Sequence, residues 1–287
     1  MNGKKIKLIE CPRDAMQGWQ HFISTEQKVA YINALLPIGF DTIDFGSFVS
    51  PKAIPQMADT KAVLAQLDLS QTTSKLLAIV ANKRGAEEAV TFDAIDYLGY
   101  PFSISETFQQ RNTNASITQS FDQLKEMVEL CEKHHKTMVV YLSMGFGNPY
   151  GDEHNDEIVF DWANKVAELG VTIISLADTV GLASPTQISR ITGNLIQSLP
   201  EIEIGVHLHS APHNWKEKLE AAMNVGCIRF DGALKGYGGC PMAGDDLVGN
   251  MDTEKLIRYF NEQSLMNDIN EPALASALAI ANSIFSQ

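Results

Sequence analysis

Short apolar runs alternate along this chain with longer stretches of helical periodicity. The runs fall at residues 6–11, 41–46, 75–81, 94–103, 137–143, 171–177, 201–209 and 227–233, most of them nearly continuous. A strand without polar alternation is covered on both faces, which is the condition of a strand in a parallel sheet. Between the runs, helix starts are marked by capping residues: Ser24 with Gln27, Ser116 with Gln119, and Ser184-Pro185 with Gln187. The serine hydroxyl can accept from the amide three residues on while the glutamine reaches back, which satisfies two donors no helix turn can use. Proline at the first helical position strengthens the third of these starts. Helices are predicted over 24–36, 60–67, 85–91, 116–135, 156–169, from 184 onward, and over 214–225, 253–263 and 272–286.

Eight strands, each followed by a helical segment, predict an α/β chain folded as a closed (β/α)8 barrel. A doubly wound open sheet is the alternative. It usually carries a glycine-rich dinucleotide turn after its first strand, and Pro12-Arg13-Asp14-Ala15-Met16 is not one. No linker or composition shift marks a second domain. The expectation is one barrel over 1–287, with 264–287 as a C-terminal helical extension.

Composition then limits the partners. A chain with 45% hydrophobic and 20% charged residues is ordinary for a water-soluble globular protein. Its net charge of −13 speaks against nucleic acid or an anionic membrane, but not against a small anion in a locally basic pocket. Cys11, Cys131, Cys227 and Cys240 include no CxxC pair and read as reduced thiols. No apolar run reaches membrane-span length, and the basic start at Lys4-Lys5 is followed by Lys7 and Glu10 instead of a signal core. A cytoplasmic location is expected.

The candidate chemistry centres on Gly205-Val206-His207-Leu208-His209. Side chains alternate faces along a strand, so both imidazoles point one way and can ligate one divalent cation. A hydrogen-bonded core histidine beside an exposed one is the plainer alternative. In a barrel the active site lies at the C-terminal strand ends. There the sequence places Glu10, Arg13 and Asp14 after the first strand, and Asp44 and Ser47 after the second. The sixth strand ends in Asp178-Thr179 and the eighth holds Asp231, with Asn250 beyond. Asp14, His207, His209 and Asn250 form a mixed nitrogen and oxygen set that favours Mg²⁺ or Mn²⁺ over Zn²⁺. Gly236-Tyr237-Gly238-Gly239-Cys240-Pro241 describes a flexible loop with a thiol near its tip, or else a plain turn.

These motifs together resemble the 3-hydroxy-3-methylglutaryl-CoA lyase family. The resemblance is carried by Pro12-Arg13-Asp14, by Ser47-Phe48-Val49-Ser50-Pro51-Lys52 with Pro55-Gln56-Met57, and by Ser105-Glu106-Thr107-Phe108 with Asn112. It continues through Asp178-Thr179-Val180-Gly181, the histidine pair, Gly238-Gly239-Cys240-Pro241 and Gly249-Asn250-Met251-Asp252-Thr253-Glu254, and spans roughly residues 6–260. It implies a metal-dependent carbon–carbon lyase with Asp14, His207, His209 and Asn250 as ligands. Arg13, Asp14 and Cys240 would be catalytic, and Arg13, Gln17, Asp44, Ser47, Asn82, Asp178 and Thr179 would contact substrate. An acyl-CoA substrate, a homodimer, and a place in leucine degradation and ketone-body formation come with the same resemblance. Lys52, Lys83 and Arg84 are candidate contacts for the CoA phosphates. The chain departs from the family at Ala15 (usually glycine), Asp44 (usually glutamate) and Ser210 (usually aspartate), which leaves the acyl group open. A Claisen-type condensing enzyme and a non-catalytic metal- or ligand-binding barrel are the two other readings.

Overall fold

Eight short strands are laid down in chain order: β1 (Lys7–Glu10), β2 (Thr42–Ser47), β3 (Lys75–Ile79) and β4 (Tyr97–Ser103), then β5 (Thr137–Ser143), β6 (Ile173–Asp178), β7 (Glu203–Leu208) and β8 (Arg229–Gly232). The computed structural model that shows them describes residues 5–239, 248–266 and 268–286. Each strand pairs in parallel with the next, and β8 returns to β1 with Lys7 opposite Arg229 and Glu10 opposite Gly232, so the barrel is closed. The (β/α)8 expectation is met.

The helices α1 (Pro12–Gln17), α2 (Thr25–Leu35), α3 (Thr60–Leu64), α4 (Lys83–Ala89), α5 (Glu106–Thr113) and α6 (Ile117–Lys133) serve the first half of the barrel. The second half carries α7 (Asp156–Glu168), α8 (Pro185–Ser198), α9 (Trp215–Met223), α10 (Thr253–Glu262) and α11 (Glu271–Phe285). All three predicted capping boxes form, with both reciprocal bonds present at Ser24, Ser116 and Ser184. Two helices lay outside the expectation. In α1 the N-terminal residue Cys11 makes no side-chain capping bond, so no start signal precedes Pro12. In α5 only Phe108 and Gln109 are buried, so its sequence carries no apolar stripe; Ser105, accepting from the Phe108 amide, starts it.

Two apolar layers hold the fold. The larger lies between strands and helices; the smaller fills the barrel with Leu77, Ile79, Val139, Tyr141 and Ile173. Above that inner layer the interior turns polar, and this change positions the site. At the far end of the chain α11 packs on α2, and Phe285 meets Trp19 (5.1 Å between ring centres) and Tyr237 (4.6 Å).

Candidate active site

A cavity of about 380 Å³ opens at the C-terminal strand ends, floored by Arg13, Asp14, His207 and His209 and walled by Ser47, Tyr141, Thr179 and Phe108. Arg13 and Asp14 lie in the first turn of α1, where β1 turns over the barrel mouth. The Arg13 guanidinium takes Asp44 with a two-pronged grip, Nε lying 3.0 Å from Oδ2, and gives Nη1 to Asp14 Oδ1 at 2.9 Å. Such a grip fixes the plane of the guanidinium as well as its position. Gln17 Nε2 adds a bond to Asp14 Oδ1 at 3.0 Å, and Asn250 Nδ2 one to Oδ2 at 2.6 Å. Burial alone would push the Asp14 carboxyl up, but Arg13, the two imidazoles and Asn250 hold it down at about 2. Asp14 is therefore ionised at neutral pH.

The histidine pair faces one way, as strand alternation requires, with ring centres 5.3 Å apart. His207 Nδ1 lies 3.1 Å from Asp231 Oδ2, which leaves Nε2 toward the cavity. Burial works against a charge on His207, yet the hydrogen bond and charge of Asp231, with Asp14 behind them, raise its pKa above the usual value. His209 is different: burial and the neighbouring His207 bring its pKa to about 4, so the ring is neutral. Its Nε2 is buried and meets no hydrogen-bond partner among the described residues.

A divalent cation fits here. Ligand atoms of Asp14, His207 and His209 lie within 4.8 Å of one another, two imidazole nitrogens and a carboxylate oxygen. The orphaned Nε2 of His209 is a lone pair without another use. Asp231 behind His207 supplies the carboxylate–histidine pairing that fixes a ligand's tautomer. Cys11, His207 and Asp231 form a second close group, but burial pushes the Cys11 thiol well above its ordinary range, which keeps it protonated and a poor ligand. Asn250 reaches the set by a β-bridge to His209, with its amide nitrogen committed to Asp14 and to the Tyr237 carbonyl at 2.9 Å.

Of the expected substrate contacts, Arg13, Gln17, Ser47, Asn82 and Thr179 line the cavity. Asn82 does so while its oxygen caps α4. Asp44 lies beneath Arg13, fully buried and off the cavity wall. Asp178 points away: Ala177 and Thr179 line the cavity, and alternation sends the residue between them out of the barrel to Lys218. Glu10 also leaves the site, accepting from Thr253 Oγ1 (2.6 Å) and the Leu234 amide (2.9 Å). Lys52, Lys83 and Arg84 are absent from the wall, and Lys83 pairs with Glu126 at 3.1 Å. Besides Arg13, the cavity wall carries Arg111 of α5, its guanidinium over the Tyr150 ring at 4.6 Å. Sequence reading missed it because α5 carries no apolar stripe to show it as a helix.

Cys240 lies outside the described residues. The loop leading to it is anchored at Gly238, with φ of 101°. A Cβ there would stand 2.6 Å from Asn250 Nδ2 and 2.8 Å from the Asp14 carbonyl, so only glycine fits between the loop base and the site.

The HMGL-like family model matches residues 5–280. The hydroxymethylglutaryl-CoA lyase YngG of Bacillus subtilis is 32% identical, with 96% of this chain and 91% of that protein aligned. The (R)-citramalyl-CoA lyase of Chloroflexus aurantiacus is 30% identical over 93% of this chain and 86% of its own. A solved HMG-CoA lyase from Acinetobacter baumannii, in complex with coenzyme A and 3-methylmalate, superposes with a TM-score of 0.91 at 31% identity, over 99% of this chain and 92% of that one. On this match of sequence, fold and length, the chain belongs to the HMGL-like family of carbon–carbon lyases.

Proposed function

We propose that the protein cleaves a carbon–carbon bond in a 3-hydroxyacyl-CoA, of which 3-hydroxy-3-methylglutaryl-CoA is the leading member, giving acetoacetate and acetyl-CoA by retro-Claisen chemistry. The observation that carries the reading is the Asp14, His207 and His209 set with its unpartnered nitrogen, placed directly beside Arg13 at the foot of the cavity. Mg²⁺ or Mn²⁺ held by those three residues, with Asn250 as a fourth ligand, would supply Lewis-acid polarisation of substrate oxygens. Arg13, its plane fixed by Asp44, stabilises the oxyanion that develops as the bond breaks. Ser47, Asn82 and Thr179 offer hydrogen bonds along the wall, and Gln17 and Asn250 keep Asp14 in place. Arg111 at the cavity is the residue we assign to the anionic CoA moiety. Cys240, from its resemblance to the family, returns a proton to the enolate carbon. A homodimer in the cytoplasm, acting in leucine degradation and ketone-body formation, completes the reading.

The relatives include a citramalyl-CoA lyase, so the acyl group is the part to test. Purified protein should be assayed against 3-hydroxy-3-methylglutaryl-CoA and citramalyl-CoA, each with and without added Mg²⁺ or Mn²⁺. Cation-dependent release of acetyl-CoA from the first supports the proposal. Turnover of the second alone moves the substrate; turnover of neither sinks it. Cys240→Ser should lower kcat by roughly 10²–10⁴ while cation affinity stays unchanged.

A further inference from the structure

We propose that Lys218 is a positioning residue for the cation site, holding His209 by its own main chain and by the turn its ring rests against. The inference rests on the cation reading above. Lys218 lies on α9, behind the barrel wall, and is only 2% exposed. Its ammonium makes three hydrogen bonds: to Asp178 Oδ2 at 2.7 Å, to the His209 carbonyl at 2.8 Å and to the Gly181 carbonyl at 3.1 Å. An ammonium has three protons, so its capacity is used up.

Charge balance accounts for one of these bonds only. The other two go to backbone carbonyls, one belonging to the ligand itself and one to the turn after β6. That turn is closed by Gly181, with φ of 72°, whose amide bonds the Asp178 carbonyl. The second oxygen of Asp178 accepts from the Ala183 amide. Inside the turn, the Thr179 hydroxyl accepts from the Met144 amide, and the Thr179 backbone hydrogen-bonds the His209 ring. On its other flank His209 is held by the bridge to Asn250 and by the Ser210 amide bonding the Gly249 carbonyl. One ammonium therefore fixes both the main-chain position of His209 and the surface that orients its imidazole. It touches neither the cavity nor the reacting atoms.

The test is Mn²⁺ titration of substrate-free protein by calorimetry, beside the thermal midpoint of the metal-free form. Lys218→Met keeps the length of the stem but strands a buried carboxylate. The double variant Lys218→Met with Asp178→Asn removes both charges and separates positioning from charge balance. We expect Mn²⁺ affinity about 10–100-fold weaker in both variants, the range for removing a group that orients a ligand, with the midpoint of the double variant returning toward wild type. Wild-type Mn²⁺ affinity in the double variant would show that Lys218 only neutralises Asp178. Wild-type protein that binds no Mn²⁺ would sink the cation reading itself, a separate outcome.

Discussion

Glu10 and Asp14 stand about one helical turn apart at the same strand end, both buried, and their surroundings drive them to opposite charge states. Burial pushes Glu10 up to about 8, and the bonds from Thr253 and Leu234 only partly offset it. Asp14 suffers burial too, yet the positive groups around it bring it to about 2. Glu10 is thus a protonated clamp between β1, the turn after β8 and α10, and Asp14 a permanent anion at the cavity. Burial alone yields a neutral carboxyl; a cation-binding carboxylate must be surrounded by donors.

The largest break in this comparison is Asp14→Asn. It removes the anion while keeping the shape, so Mn²⁺ binding should vanish and kcat/KM fall by about 10³ or more, the equivalent of several kcal/mol. Unaltered cation stoichiometry would refute the ligand assignment. Next comes Arg13→Met, which should cost about 10²–10³ in kcat, the range for losing an oxyanion donor. It also leaves Asp44 buried without its partner, which should cost roughly 3–5 kcal/mol of stability. Adding Asp44→Asn should restore the stability but not the rate, a split read by denaturant unfolding beside kinetics.

Glu10→Gln sharpens the other side. A carboxyl raised from 4.5 to about 8 on folding leaves stability intact below pH 4.5 and drains it as pH climbs through 8, because the unfolded chain loses the proton first. Glutamine has no proton to lose and should be more stable than wild type at pH 9 by on the order of 3 kcal/mol. Below pH 5 the gap should shrink to about 1 kcal/mol or less, the net worth of one exchanged hydrogen bond. Urea unfolding at the two pH values decides it. The smallest effect is chelation: removing a cation present at about 100 times its Kd should lower stability by about 2.7 kcal/mol in wild type and leave Asp14→Asn unmoved.

Much of this was legible in the sequence. Parallel strands are covered on both faces, so their apolar runs show without alternation, and the three capping boxes are local chemistry that needs no tertiary information. The histidine pair was legible because alternation alone puts two residues on one face. The same rule applied from Ala177 would have turned Asp178 out of the site, where it meets Lys218. What stayed hidden depends on contacts between distant segments. Gly238 is needed for Asn250 and Asp14, Lys218 is buried by a turn on another strand, and Arg111 stands on a helix without an apolar stripe.

The closure of β8 onto β1 has a consequence for the life of the chain before it is finished. Asn250 and Asp14 touch across a separation of 236 residues, and the two histidines enter from the penultimate strand. A nascent chain still lacking its eighth strand can hold no complete cation site, however many of its earlier βα units have formed. A cation held by this set, as proposed above, would therefore bind the barrel after it has closed and would not nucleate its folding. Binding energy that arrives only after closure lowers the native state and leaves the route to it unchanged, so it acts by slowing the reopening of the barrel.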